Sequence, residues 1–142
     1  MKFKYAVIGY GFIGRRHVDT LKSFEDSDCI AVCDISPKRL QEVKNLYPDM
    51  EIYDNADDLL ANTEIDGVII SANNNQHKEL VIKAARAGKH IICEKPAAMT
   101  VSELDEMTEE AEKAGVTFTV HQQRRYDKDF RCVKECYDKK LV

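Results

Sequence analysis

The segment Gly9-Tyr10-Gly11-Phe12-Ile13-Gly14 follows directly on an apolar run, Tyr5-Ala6-Val7-Ile8, and constrains the fold more than any other stretch of the chain. Twenty residues past Gly14, a second apolar run over 29–33 ends on Asp34. Each part has a physical job. Gly9 permits a tight turn out of a strand, Gly11 lets the backbone approach a pyrophosphate, and Gly14 lets a helix pack closely on the strand before it. The helix that starts in this loop aims unpaired N–H groups and the positive end of its dipole at the phosphates. Asp34, at the tip of the second strand, is placed to accept hydrogen bonds from the ribose hydroxyls of an adenosine. Strand before, helix after and acid at this distance predict a dinucleotide-binding unit. Gly9, Gly11, Phe12, Ile13, Gly14 and Asp34 are its expected cofactor-binding residues.

The rest of the chain alternates strand-like and helix-like segments. Strand candidates fall at 5–8, 29–34, 51–53, 67–71, 90–93 and 116–120. Several are short, continuously apolar and rich in Val and Ile, the composition of strands covered on both faces. Ser36-Pro37 reads as an N-cap followed by proline at the first helical position, with Leu40, Val43 and Leu46 as the apolar stripe. Residues 74–88 hold a helix that turns Leu80, Val81, Ala84 and Ala85 inward. Thr100-Val101-Ser102-Glu103 fits a capping box; Leu104, Met107, Ala111 and Ala114 follow on one face, and Gly115 stops that helix. This alternation implies an α/β fold: a Rossmann-type, doubly wound parallel sheet in three α/β/α layers. Such sheets bind ligands beyond the carboxyl ends of their strands, where Asp34, residues 71–75 and Glu94-Lys95-Pro96 all fall.

A length of 142 residues, 44% of them hydrophobic, suits one domain with a sizeable core. The net charge of −4 gives no reason to expect nucleic acid or an anionic membrane as partner. No apolar run approaches the ~18 residues needed to cross a bilayer. Met1-Lys2-Phe3-Lys4 leads straight into the first strand, so no signal peptide is expected. The five cysteines lack the spacing of a secreted disulfide framework, and Cys29, Cys33 and Cys93 lie in apolar runs as small buried hydrophobes. A reducing cytoplasm is the expected location. Cys132 and Cys136 fall one helical turn apart with no second pair to complete a metal site, so no metal is expected.

The run Gly88-Lys89-His90-Ile91-Ile92-Cys93-Glu94-Lys95-Pro96, with His17 behind the glycine loop and His77 behind Asn74, resembles the amino-terminal half of the Gfo/Idh/MocA oxidoreductases over residues 3–135. The resemblance implies a domain that binds NAD or NADP. It also implies hydride transfer between the nicotinamide and a hydroxyl-bearing carbon of a sugar, cyclitol or related polyol. On it, Lys95 is the catalytic lysine, contacting the reacting hydroxyl and helping its proton leave. A nearby positively charged nicotinamide disfavours the charge of a lysine and so suits it to proton transfer. Glu94 would line the nicotinamide side of the pocket, and Pro96 is a candidate for a cis peptide that sets the direction of the lysine.

Gln123-Arg124-Arg125-Tyr126-Asp127 resembles a family segment in which an arginine faces the polyol, making Arg124 a substrate-binding candidate. The alternative is that Arg124 and Arg125 pair with nearby acids. Where the family often has Thr-Pro-Asn, this chain has Ala72-Asn73-Asn74. These residues and His77 are the expected adenosine-side contacts, without the hydroxyl and the fixed φ of proline but with turn-forming asparagines. His17 is expected to pack or hydrogen-bond locally, His90 to be structural, and His121 to stand at a ligand-facing strand end. Asp34 argues for NAD, because a carboxylate repels a 2′-phosphate. Lys38 and Arg39 lie near enough to accommodate that phosphate, which keeps NADP as the alternative.

Residues 1–120 thus read as the dinucleotide-binding domain, and 121–142 as a crossover segment and the start of a second domain that family members use for most of the substrate pocket. Half a pocket is not expected to hold substrate carbon and nicotinamide in contact, so the chain alone is expected to be inactive. Three readings follow. The chain is the cofactor domain of a polyol dehydrogenase, as a fragment or truncated gene product. It is a stand-alone, non-catalytic NAD(H)-binding regulatory or redox-sensing module. Or it is a homo-oligomer in which another chain completes the site.

Overall fold

In the computed structural model, β1 (Phe3–Ile8) runs into the glycine loop and α1 (Phe12–Ser23) leaves it. The described residues are 2–141; Met1, in the lead-in to the first strand, and Val142, the last residue assigned to the crossover segment, lie outside them. The chain continues as β2 (Ser27–Cys33), α2 (Pro37–Leu46), β3 (Glu51–Tyr53), α3 (Ala56–Leu60) and β4 (Gly67–Ile70). A 3₁₀ turn (Asn74–Gln76), α4 (His77–Arg86), β5 (His90–Cys93), α5 (Val101–Ala114) and β6 (Phe118–Val120) follow. A second 3₁₀ turn (Gln123–Tyr126) and α6 (Lys128–Asp138) complete it. All strand pairs are parallel, in the order β3-β2-β1-β4-β5-β6. The order reverses between β1 and β4, which makes that line the topological switch point. This is the doubly wound α/β fold read from the alternation.

The core lies on both faces of the sheet because successive strand residues point to opposite sides. Ala6 and Ile8 of β1 face Val81, Ala84 and Ala85 of α4 and Met107 and Ala111 of α5. Val7 faces Val18 and Leu21 of α1 and Leu40 and Val43 of α2. Each fully buried Val or Leu contributes about 1.5–3 kcal/mol over leaving it in water, so the two layers hold the strand ends in fixed register. Gly115, at φ 68°, ends α5 in the left-handed conformation.

Several local expectations need correction. Leu46 is 63% exposed, in the last turn of α2, where the sheet edge is only the three-residue β3. Leu104 and Ala114 also stay exposed, at the two ends of α5, and Met107 and Ala111 alone carry its packing. Ser36 occupies the N-cap position but makes no side-chain cap; its own N–H donates to Asp34 Oδ1 at 2.8 Å instead. Thr100 accepts from the Glu103 N–H at 3.2 Å, while Glu103 closes on the Met99 N–H at 2.8 Å rather than on that of the cap residue. The first turn of the helix predicted over 74–88 is 3₁₀, and the α-helix begins at His77.

No residue of α6 is buried, and its Val133, Tyr137 and the following Leu141 are each more than 60% exposed. Among the described residues, no helix is long and apolar enough to cross a membrane. All five cysteines are free, and burial pushes the thiols of Cys29, Cys33 and Cys93 up to about 12, which leaves them inert.

Candidate functional site

The glycine loop is bound to the strand ends on either side. The Gly9 N–H donates to the Cys33 carbonyl at 2.8 Å, and the Ser71 hydroxyl donates to the Gly9 carbonyl at 2.7 Å. The three glycines then differ in what surrounds them. Gly9 has φ +96°, and a Cβ there would stand 2.7 Å from the Ser71 carbonyl group. A Cβ on Gly14 would stand 1.9 Å from the Gly9 carbonyl oxygen. Gly11 has nothing within 4 Å of its Cβ position, so its open side faces the cleft. Phe12 is 73% exposed under the Arg16 guanidinium, and Ile13 is half-buried. No side chain caps α1 and its first turn carries no acid, so its leading N–H groups remain available to an anion. A loop closed to side chains on two glycines and open on the third fits a pyrophosphate.

Asp34 lies just past β2 with its side chain 3% exposed. Its Oδ2 accepts from the Tyr10 N–H at 2.7 Å and from Arg39 at 3.2 Å, and Oδ1 accepts from the Ser36 N–H. A carboxylate offers about four lone-pair sites, and three are occupied here. Asp34 therefore fastens the glycine loop to the second strand end and keeps acceptor capacity toward the cleft. Arg39 reaches the site, but as the partner of Asp34.

The cleft runs from Asp34 past Gly9 and Gly11 to Ala72, Asn73 and Gln76. Asn73 is exposed at its rim, while Asn74, also exposed, starts the 3₁₀ turn and does not line the cleft. His77 sits behind that rim, 1% exposed, with Nδ1 2.9 Å from the Pro96 carbonyl and Nε2 3.1 Å from the Ala72 carbonyl. Both nitrogens are engaged by protein oxygens, so His77 braces the loop after β4 against the loop after β5 and does not line the cleft. His77→Ala is expected to lower stability by roughly 2–4 kcal/mol through the void and the loop carbonyl left without its N–H donor. A denaturant melt measures this, and a loss under about 0.5 kcal/mol would remove the bracing role.

Beyond β5 the structure assembles a group that linear spacing does not reveal. Glu94 Oε1 accepts from His17 Nε2 at 2.9 Å and from His121 Nδ1 at 2.8 Å, while Oε2 accepts from the Lys95 N–H at 3.1 Å. A carboxylate can only accept, so the imidazole nitrogens donate. Burial works against the Glu94 charge, but the hydrogen bonds of His17, His121 and the Lys95 N–H together hold the carboxyl below its usual range. Burial pushes His17 below the ordinary imidazole value, against the pull of Glu94. The bond of His17 is therefore long-range rather than local, bringing α1 to the end of β5. The three ligand atoms lie within 4.8 Å of one another, so this is also the one group among the described residues with the makings of a metal site. Its internal contacts have hydrogen-bond lengths.

Lys95 is exposed at the same strand end, its ammonium free of a carboxylate partner among the described residues, and the Lys95–Pro96 bond is cis. Arg124 is 78% exposed and turns to Asp127 at 3.0 Å and Asp129 at 3.9 Å, the acid pairing given above as its alternative. Sequence reasoning missed Tyr10, whose N–H ties Asp34 to the loop, and Gln76, which lines the cleft. It also missed the meeting of His17, Glu94 and His121. The C-terminal sheet edge was the only signal pointing to that last group.

A reversed parallel sheet, a glycine loop shaped for phosphate and an acid at the neighbouring strand end define a dinucleotide-binding Rossmann domain. Residues 3–122 match the Gfo/Idh/MocA oxidoreductase family, NAD-binding Rossmann fold, and the chain belongs to that family. It is 35% identical to myo-inositol 2-dehydrogenase of Thermotoga maritima over 95% of this chain and 40% of that protein. It is 32% identical to D-apiose dehydrogenase of Paraburkholderia graminis over 93% of this chain and 35% of that protein. Among solved structures, an NAD-binding protein from Listeria innocua superposes with TM-score 0.91 at 34% identity, covering 100% of this chain and 42% of the other. The chain thus spans about two fifths of the length of these relatives.

Proposed function

We propose that this chain holds NAD and presents Lys95 to hydride transfer between the nicotinamide and a hydroxyl-bearing carbon of a sugar, cyclitol or related polyol. The observation that carries this reading is that the glycine loop, Asp34 and Lys95 all stand at one edge of a single parallel sheet. When bound, the cofactor supplies the hydride acceptor. Gly9, Gly11, Phe12, Ile13 and Gly14 would hold its pyrophosphate. Asp34, with Ala72 and Asn73, would hold the adenosine side, and Glu94 and Lys95 the nicotinamide side. Lys95, whose side-chain nitrogen has no carboxylate partner among the described residues, would as the neutral amine take the proton of the reacting hydroxyl and become the ammonium. The two named dehydrogenase relatives act on an inositol and a pentose, which supports a polyol substrate here.

NAD is favoured over NADP because Arg39 is paired with Asp34 and the carboxylate faces the place of a 2′-phosphate. Residues 1–120 form the cofactor domain in this reading. Residues 121–142 form a crossover segment whose exposed α6 stripe suits a second domain or a second copy of the chain. Arg124 would turn from Asp127 to the polyol once that partner is in place. Five free thiols support a reducing, cytoplasmic setting.

Titrations with NADH and NADPH, followed by a turnover screen of inositols and pentoses with NAD, test the proposal. NADH is expected to bind at least about tenfold tighter, a difference of about 1.4 kcal/mol. Tighter NADPH binding would overturn the cofactor choice. Tight NADH binding with no polyol turnover, both in this chain and in any longer product of its gene, would favour the regulatory module.

A further inference from the structure

We infer that Glu94 selects the oxidised form of the cofactor: its carboxylate, fixed by His17 and His121, attracts the positively charged ring of NAD⁺ and gives the neutral ring of NADH no such attraction. This deepens the reading of the cleft as a dinucleotide site and rests on it. Asp34, at the end of β2, marks the adenosine half. A dinucleotide that crosses the switch point between β1 and β4 then lays its other half over the ends of β4, β5 and β6. Glu94 stands at the end of β5 and His121 at the end of β6, with His17 closing over them from α1.

Two features make the charge of Glu94 effective. Its side chain is only 8% exposed, so solvent and salt screen it little. It also has no lysine or arginine partner, unlike Asp34. Its donors are two imidazole nitrogens and a backbone N–H, which orient a carboxylate without requiring a cation. The other charged groups at this edge are few. Arg16 of α1 lies over the Phe12 ring, Arg124 is held by Asp127, and Arg125 lies over the Phe130 ring. Lys95 is exposed at the same edge with no carboxylate partner among the described residues.

Calorimetric titration of this chain with NAD⁺ and with NADH at pH 8 tests the inference without any turnover. Glu94→Gln keeps the shape and one acceptor oxygen. At pH 8 it is expected to lower the affinity for NAD⁺ relative to that for NADH by about tenfold. An affinity ratio that is the same in Glu94→Gln as in the unaltered chain, with both forms still bound, would overturn the inference and leave the cleft reading intact. Failure of the unaltered chain to bind either form would overturn both.

Discussion

Replacing Gly11 with alanine should leave the fold standing and remove dinucleotide binding, whereas Gly14→Ala should cost the fold itself. At Gly11 the added methyl meets no protein atom and the backbone φ is −77°, a value any residue adopts. A change in stability beyond about 0.5 kcal/mol is therefore not expected. The methyl projects into the open side of the loop, and a pyrophosphate needs backbone contact there. NADH affinity is expected to fall at least about a hundredfold, some 2.7 kcal/mol. At Gly14 the methyl would overlap the Gly9 carbonyl oxygen at 1.9 Å. That carbonyl cannot turn away, because Ser71 Oγ is bonded to it and the Gly9 N–H is bonded to Cys33. Overpacking of this kind costs about 1–3 kcal/mol in a yielding site, and the upper end or more is expected here. Thermal melts and NADH fluorescence titrations on the two variants separate the effects. Normal binding by Gly11→Ala would move the cofactor out of this cleft.

Lys95→Ala is expected to lower polyol turnover by about 10²–10⁴-fold, the usual contribution of a positioned acid–base group. The measurement belongs on the protein that turns over the polyol. NADH affinity, carried mainly by the glycine loop and Asp34, should change far less than turnover. The signature is thus a fall in kcat with NADH binding intact. Lys95→Arg should not rescue it, since a guanidinium stays protonated throughout the working pH range. Turnover within a few fold of normal would place the proton transfer on another residue.

The sheet was legible because its signals are local. An apolar run ended by Gly9, a cap at Thr100 and a left-handed stop at Gly115 act over a few residues, and the structure keeps each of them. Strand limits shifted where tertiary pairing overrides composition. Phe3 and Lys4 extend the first strand by pairing with Ser27 and Asp28, which their own sequence does not announce. The glycine loop and Asp34 were legible for the same reason, as one continuous motif. Family resemblance singled out Lys95 and Glu94, but no spacing rule predicts that His17, 77 residues before Glu94, and His121, 27 after it, share one of its oxygens. That contact depends on α1 crossing to the end of β5. His77 was read as a cofactor contact because it stands beside the right loop, yet its ring faces inward to Pro96 and Ala72. Position along the chain gives the neighbourhood of a side chain and leaves its direction open.

The placing of β1 has a consequence for how the molecule comes together. It is the first strand in the chain and a central one in the sheet, pairing with β2 on one edge and with β4 on the other. The pair Val7 and Ile69 joins residues 62 apart, so the second edge of β1 stays bare until β4 has been made. Non-local pairing of this kind slows folding, because chain entropy is lost before contacts repay it. The half built from β1, β2 and β3 can gather early, and the half built from β4, β5 and β6 must then dock along β1. The line along which the two halves would meet is, in the proposed reading, also the line that the dinucleotide crosses.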